Sequence, residues 1–148
     1  MRIAVIADTH NHLPLPLLDE IAGADEIWHL GDVTDTHILA TLHDLKKPLK
    51  WVRGNCDSNM LWPLELDFEI TGFKIRLVHI PPSQAPPGTD LLLHGHTHVP
   101  RREMVGATCF LNPGCITRPN RGAPSSYAWL TLEQGKAFGW KLHPVPGR

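Results

Sequence analysis

The chain has 148 residues, 42% of them hydrophobic, and a formal net charge of −1. That is enough apolar material for the core of a single domain over residues 1–148, and the near-neutral charge excludes an electrostatic hold on a nucleic-acid polymer or an anionic membrane. Three cysteines, Cys56, Cys109 and Cys115, form no C-x-x-C pair and leave one unmatched, which excludes a disulfide framework and points to a reducing, cytoplasmic setting.

Residues 2–7 read as a buried strand, continuous and rich in β-branched side chains. The apolar run meets Asp8 too early for a secretory leader, and no later stretch is long enough to span a bilayer. Residues 13–22 follow as a short helix, with Pro14 and Pro16 near its start and Gly23 after it. Residues 26–30 form a second strand. Residues 36–45 form a second helix with Ile38, Leu39, Leu42 and Leu45 on one face. A third strand covers 49–52. This β-α-β-α-β rhythm implies parallel strands with right-handed crossovers. Beyond it, 66–71 and 74–78 flank a glycine like a hairpin, and "HIPPSQAPPG" is a proline-rich loop. Residues 91–93, 104–110, 126–132 and 137–142 are further strands. The expected architecture is an α/β sandwich, a parallel half followed by a strand-rich half.

The polar residues at the ends of these strands carry the chemistry. The first strand runs into Asp8 and His10, the second into Asp32, the third into Asn55, the "KIRLV" strand into His79, and "LLL" into His96 and His98. In parallel α/β sheets the carboxyl ends lie along one edge, where ligands bind, so Asp8, His10, Asp32 and Asn55 converge by topology, and the later histidines join them if their strands share that edge. Two carboxylates, one amide and four imidazoles, with no thiolate, suit divalent Mn, Fe, Co, Ni or Zn. Seven ligands exceed one tetrahedral site, so two metals sharing one carboxylate is the economical reading. Blander readings stand beside it. Asp8 serves a turn equally well, "GNCD" fits a tight turn, and Asp35 is the N-cap of the second helix. His94 points away from His96 as an outer partner, and His12 either lines the cleft or is solvated. His29, His37 and His43 belong to the core edge or helix surface, and Cys109 to the core.

"DTH" (8–10), "GDVTD" (31–35), "GNCD" (54–57), "GHTH" (95–98) and "NPG" (112–114) occur in the order found in calcineurin-like metallophosphoesterases. From Arg2 to about Arg121 the chain resembles the compact bacterial and archaeal phosphodiesterases of that family. The resemblance implies a four-layer αββα sandwich with helices on both outer faces. It places a first metal on Asp8, His10, Asp32 and His98 and a second on Asp32, Asn55, His79 and His96, with Asp32 bridging and Mn2+ the first choice. By that resemblance, two metals about 3.5–4 Å apart would lower the pKa of a shared water and supply a hydroxide for in-line attack on phosphorus, so that no protein nucleophile would be needed. The expected substrate is a small phosphodiester, with monoesters also in scope, and self-association is left open. Asn55, Cys56 and Asp57 supply the catalytic motif, and Arg118 and Arg121 add charge for a substrate phosphate.

Two positions depart from the family pattern. Cys56 stands where the wider family has a proton-donating histidine, and Ile80 where it has a glycine after the histidine. Two rival functions remain: a non-catalytic scaffold of the same fold, like a retromer subunit whose ligand set has decayed, and a cysteine-dependent phosphatase using Cys115 and Arg121 in C-x5-R spacing. Pro119 argues against the second, because its missing N–H weakens a phosphate-cradling loop.

Overall fold

In the computed structural model, which describes residues 1–147, ten strands and two helices follow the chain order. The first half is β1 (Arg2–Ile6), α1 (Leu15–Ile21), β2 (Glu26–His29), α2 (Thr36–His43) and β3 (Leu49–Trp51). Strands β1, β2 and β3 are parallel neighbours, with Ile3 opposite Glu26 and Ile27 opposite Leu49. The second half is β4 (Glu65–Ile70), β5 (Phe73–Val78), β6 (Leu91–Leu93), β7 (Arg101–Val105), β8 (Thr108–Asn112), β9 (Ser126–Thr131) and β10 (Gly139–Pro144). The last two strands return to the first sheet, giving the order β10-β9-β1-β2-β3, and the other sheet runs β4-β5-β6-β8-β7.

Alternation along the strands builds the core. Ile3, Val5, Trp28 and Leu30 on one sheet meet Ile75, Leu77, Leu91, Leu93 and Leu111 on the other, all essentially inaccessible to water. The opposite side chains of β1 and β2, Ala4, Ile6 and Ile27, pack under Leu17 and Ile21 of α1 and Ile38, Leu39 and Leu42 of α2. Helix α2 starts as expected, with the Asp35 carboxylate accepting from His37 N–H at 2.9 Å, a cap worth about 1 kcal/mol. The β4–β5 hairpin turns through Thr71 (φ 49°) and Gly72 (φ 85°), the two positive-φ positions that the twist of a tight hairpin requires.

The expected two-sheet α/β sandwich is present, with two differences from the sequence reading. Both helices lie against the first sheet, because each closes a right-handed crossover in the same strand direction. On the outer side of the second sheet, Val78, Leu92 and Phe110 are instead covered by Ala85 of the proline-rich segment and by Val105. Prolines 81, 82, 86 and 87 lack the N–H groups a helix would need there. The expected strand over 104–110 is a hairpin: β7 and β8 reverse between Val105 and Thr108, with Gly106 at φ 61°. Among the described residues no helix is long and apolar enough to cross a membrane.

Candidate metal centre

Three parallel strands in each sheet, β1-β2-β3 and β5-β6-β8, deliver their carboxyl-end loops to one edge. All seven predicted ligand residues stand on those loops. The backbone there is tightly specified. Asp8 (φ 57°), His10 (44°), Asp32 (56°), His96 (72°) and His98 (61°) all occupy the left-handed region, which costs a non-glycine residue about 1 kcal/mol or more and persists only where the surroundings impose it. Here Asp8 N–H bonds Gly31 C=O at 3.0 Å, His10 N–H bonds Asp32 C=O at 3.1 Å, and Gly95 N–H bonds His79 C=O at 3.1 Å. Glycines permit the approach: a Cβ on Gly95 would lie 2.8 Å from Asp8 Oδ2, and one on Gly54 2.1 Å from Asp32 Oδ1.

The side chains then converge. One ligand atom from each of Asp8, His10, Asp32 and His98 falls within 4.8 Å of the others. Asp8 Oδ1 is 3.5 Å from His98 Nε2 and 3.8 Å from His10 Nε2. Asp32 Oδ2 is 3.7 Å from His10 Nε2 and 3.3 Å from His79 Nε2, so it faces both halves of the cluster. Asn55 Oδ1 lies 2.9 Å from His79 Nε2 and 3.0 Å from His96 Nδ1. Backbone carbonyls orient two of the rings: His79 Nδ1–H donates to Leu30 at 2.8 Å and His98 Nδ1–H to Arg118 at 2.7 Å. Each of those rings turns its Nε2 toward the carboxylates, the arrangement second partners impose on metal-binding histidines.

Two atoms at the centre lack partners. Asp8 Oδ1 and His10 Nε2 are buried and make no hydrogen bond. Burial pushes the Asp8 carboxyl up to about 6, against the lowering pull of His79 and His98. At Asp32 burial works upward too, but the hydrogen bond from His79 and the Cys56 N–H at 2.8 Å outweigh it and hold the carboxyl well below its usual range. Burial lowers His10 and His96, favouring neutral imidazoles. At His79 burial also works downward, yet the Asp32 bond and the two carboxylate charges raise it. Crowded acceptors, orphaned buried lone pairs and an all-oxygen-and-nitrogen donor set are the surroundings a divalent cation fits.

Other predicted residues take different places. Asp57 turns away from the cluster: its carboxylate accepts from the N–H groups of Asp32 (2.9 Å), Gly54 (2.7 Å) and Thr34 (2.7 Å), so it ties the β2 and β3 loops rather than facing a reacting group. Cys56 is exposed, and its thiol is raised first by desolvation and then by Asp32. Arg118 contributes a carbonyl to His98 and a charge felt at His10. Arg121 lines a neighbouring cleft of about 500 Å³ with His96 and Arg101. His94 is buried away from the cluster, bonded to Gly95 C=O at 2.9 Å and to Arg101 at 3.3 Å. The Cys115 thiol is fully buried, bonds Asp8 C=O at 3.3 Å and accepts from Arg118 N–H at 3.1 Å. Burial pushes it up, so it is no thiolate nucleophile and the C-x5-R alternative loses its central atom.

Sequence reasoning missed three supports. Asn112 of "NPG" donates to Gly95 C=O and Thr97 Oγ1 at 3.2 and 3.1 Å and accepts from Gly114 N–H, pinning the "GHTH" loop. Thr9 and His29 form a buried chain between the β1 and β2 loops: Gly31 N–H donates to His29 Nδ1, and His29 Nε2 meets Thr9 Oγ1, both at 3.1 Å. A histidine closing the second strand just before "GD" was the only signal for this pair.

Complete burial, aided by the His79 charge, lowers His29 to about 3. Its unfolded value is near 6.5, so the folded state binds fewer protons below that pH. Stability from this group is fully present above about pH 6.5 and is lost as pH falls toward 3, at up to about 1.4 kcal/mol per pH unit. Asp8 acts in the opposite sense, so the comparison is between native chain and His29→Gln. Urea unfolding of the chelated proteins between pH 7.5 and 4 should show the steeper loss in the native chain; parallel curves would exclude the buried imidazole as its source.

Comparison with known proteins gives a consistent picture. Residues 1–135 match the model of the calcineurin-like phosphoesterase superfamily domain. A protein of Methanocaldococcus jannaschii named a probable metallophosphoesterase is 38% identical over 136 residues, covering 80% of this chain and 70% of that one. The phosphodiesterase YfcE of Escherichia coli is 30% identical over 161 residues, covering 88% and 87%. Among solved structures, the E. coli phosphoesterase superposes with a TM-score of 0.75 at 23% identity over 98% of this chain and all of that one. Vps29 of Entamoeba histolytica in complex with zinc superposes with a TM-score of 0.77 at 21% identity over 97% and 98%.

Proposed function

The chain belongs to the calcineurin-like phosphoesterase superfamily, and from that premise we propose that it is a phosphodiesterase using two divalent ions, Mn2+ foremost, on small phosphodiesters. The observation that carries the reading is the orphaned pair at the centre, Asp8 Oδ1 and His10 Nε2, buried beside Asp32 and His98. In this proposal Asp8, His10, Asp32 and His98 hold one ion and Asp32, Asn55, His79 and His96 the other. Asp32 is the shared ligand in this reading: its Oδ2 faces His10 and His79 at 3.7 and 3.3 Å, somewhat nearer than Asp8 Oδ1, which lies 3.8 Å from each of those rings. Bound there, the ions supply Lewis acidity toward the phosphoryl group and a hydroxide at neutral pH.

The chain's own residues do the rest. Leu30 and Arg118 carbonyls fix the ring tautomers of His79 and His98. The Cys56 N–H holds Asp32 Oδ1, leaving Oδ2 for the cluster. Arg118 adds positive charge beside His10, and Arg121 adds it in the cleft next to His96, where an anionic ester is attracted. The Cys56 thiol is raised and so donates a proton poorly at neutral pH. Esters with good leaving groups are therefore the better substrates. Cys56→Ser is expected to keep turnover of bis(p-nitrophenyl) phosphate within about threefold, since nitrophenolate leaves without a proton. Loss of that activity with metal content intact would mean that the thiol takes a direct part.

The direct test is metal removal. Exhaustive chelation should abolish hydrolysis of bis(p-nitrophenyl) phosphate, and added Mn2+ should restore it, with elemental analysis approaching two ions per chain. Turnover that survives chelation would reject the proposal. The likeness to Vps29 supports a second reading, a binding scaffold of the same fold. The phosphodiesterase relative and the full set of seven ligand residues support the enzyme. Metal binding without hydrolysis of any phosphoester would favour the scaffold.

A further inference from the structure

Two clefts flank the cluster, and they differ in chemistry. One, of about 500 Å³, is lined by His96, Thr97, Arg101, Asn120 and Arg121 among others and suits a polar or anionic group. The other, of about 480 Å³, is lined by Asn55 and His79 of the cluster, by Arg53, Asp57 and Glu65, and by the apolar side chains of Met60, Leu64, Val78 and Ile80. Met60, Leu64 and Ile80 are 74%, 61% and 55% exposed.

These apolar side chains do not sit on a loose loop. Arg53 N–H bonds Pro63 C=O at 2.7 Å, its guanidinium bonds Met60 C=O at 3.2 Å, and Leu61 N–H bonds Asn59 Oδ1 at 3.0 Å. The fold therefore holds apolar surface against water right beside the reacting centre. Contiguous apolar surface of that kind marks a place that something covers, and a concave apolar wall meeting a few convergent polar groups is the usual form of a ligand site. Ile80 adds to this wall at the position where the sequence departs from its family's glycine.

We infer that this cleft receives an apolar ester substituent, alkyl or aryl, of the phosphoester whose phosphoryl group lies at the Asp/His cluster. The inference rests on the phosphodiesterase reading above and adds a substrate class to it: diesters with one apolar arm. The second substituent falls on the Arg101–Arg121 side, where a polar group is better matched, so a diester with two long apolar arms is the poorer fit.

The test uses the Mn2+-loaded full chain and n-alkylphosphonates, which carry a single substituent and are not hydrolysed. Methyl-, butyl- and hexylphosphonate are titrated by calorimetry. Burying each methylene should tighten binding about fourfold, so butyl should exceed methyl by on the order of 60-fold. Leu64→Glu and, separately, Met60→Glu should each reduce that ratio to about threefold or less; both side chains are exposed, so neither change disturbs the core. If methylphosphonate binds and affinity does not grow with chain length, the inference is overturned and the phosphodiesterase reading stands. A length dependence that persists in both variants overturns it as well, by placing the alkyl chain elsewhere. If no phosphonate binds the loaded protein, the inference is overturned, and the phosphodiesterase reading falls with it only if the same Mn2+-loaded sample also fails to hydrolyse bis(p-nitrophenyl) phosphate. Sedimentation that finds the native chain dimeric and Leu64→Glu monomeric overturns it in favour of a second copy covering the cleft.

Discussion

Replacing Asp32 with asparagine is expected to lower turnover of bis(p-nitrophenyl) phosphate by about 10³-fold or more and to strip metal from both halves of the centre. Asparagine has the same shape, so the loss isolates charge and hydrogen-bond sense. Asp32 Oδ1 accepts from the Cys56 N–H at 2.8 Å, and the amide oxygen would keep that bond. The amide nitrogen would then stand where Oδ2 stood, 3.7 Å from His10 Nε2 and 3.3 Å from His79 Nε2. It presents protons where both rings face a carboxylate oxygen. Asp8 Oδ1 also reaches both rings, at 3.8 Å each, a little farther than Asp32 Oδ2. His98→Ala should weaken mainly the first ion and His96→Ala mainly the second. Elemental analysis and metal titration of the three variants check the pattern. Native affinity for two ions in Asp32→Asn would refute the shared-ligand role.

The second large effect is expected from a residue with no side chain at all. A Cβ on Gly54 would lie 2.1 Å from Asp32 Oδ1 and 2.3 Å from Asp32 N. The second contact is backbone, so no rotamer change relieves it. In Gly54→Ala the β2 and β3 loops must separate, breaking the hold of Asp57 on the N–H groups of Asp32 and Gly54. A destabilisation of about 3 kcal/mol or more is expected, lowering the melting temperature by on the order of 10 °C in a chain of this size, together with loss of metal binding. Gly23→Ala is the control, since a Cβ there meets nothing within 4 Å. Equal melting temperatures for the two variants would contradict the contact.

How much of this was legible in the sequence depended on whether the signal was local. The parallel half was readable because apolar runs alternate with amphipathic helices at regular intervals, and Asp35 capped its helix where expected. The convergence of Asp8, His10, Asp32 and Asn55 followed from strand direction alone. The β7–β8 hairpin was hidden because Gly106 lies in a continuous apolar-looking run, where one glycine reads as an interruption rather than a reversal. Asp57 was assigned to chemistry by its place in "GNCD", but the three N–H groups it serves lie 25, 23 and 3 residues away on two different loops, and no spacing rule reveals that. The partners of Asn112 and Thr9 were hidden for the same reason, and His29 showed only as a histidine just before "GD". The clefts differ through exposure of Met60, Leu64 and Ile80, which composition does not report.

The left-handed backbone at Asp8, His10, Asp32, His96 and His98 bears on the history that such a sequence can have. Five such positions at about 1 kcal/mol each amount to about 5 kcal/mol, as much as the whole net stability of a domain at the lower end of the usual range. Glycine would relieve the steric strain at each of those angles, though at an entropic cost, whereas most other substitutions would deepen it. A lineage released from the need to bind a cation and drifting to glycine at these positions should gain heat resistance as it loses the metal. By that reasoning, the presence of Asp and His at all five strained positions is what a lineage still under selection for its chemistry would carry.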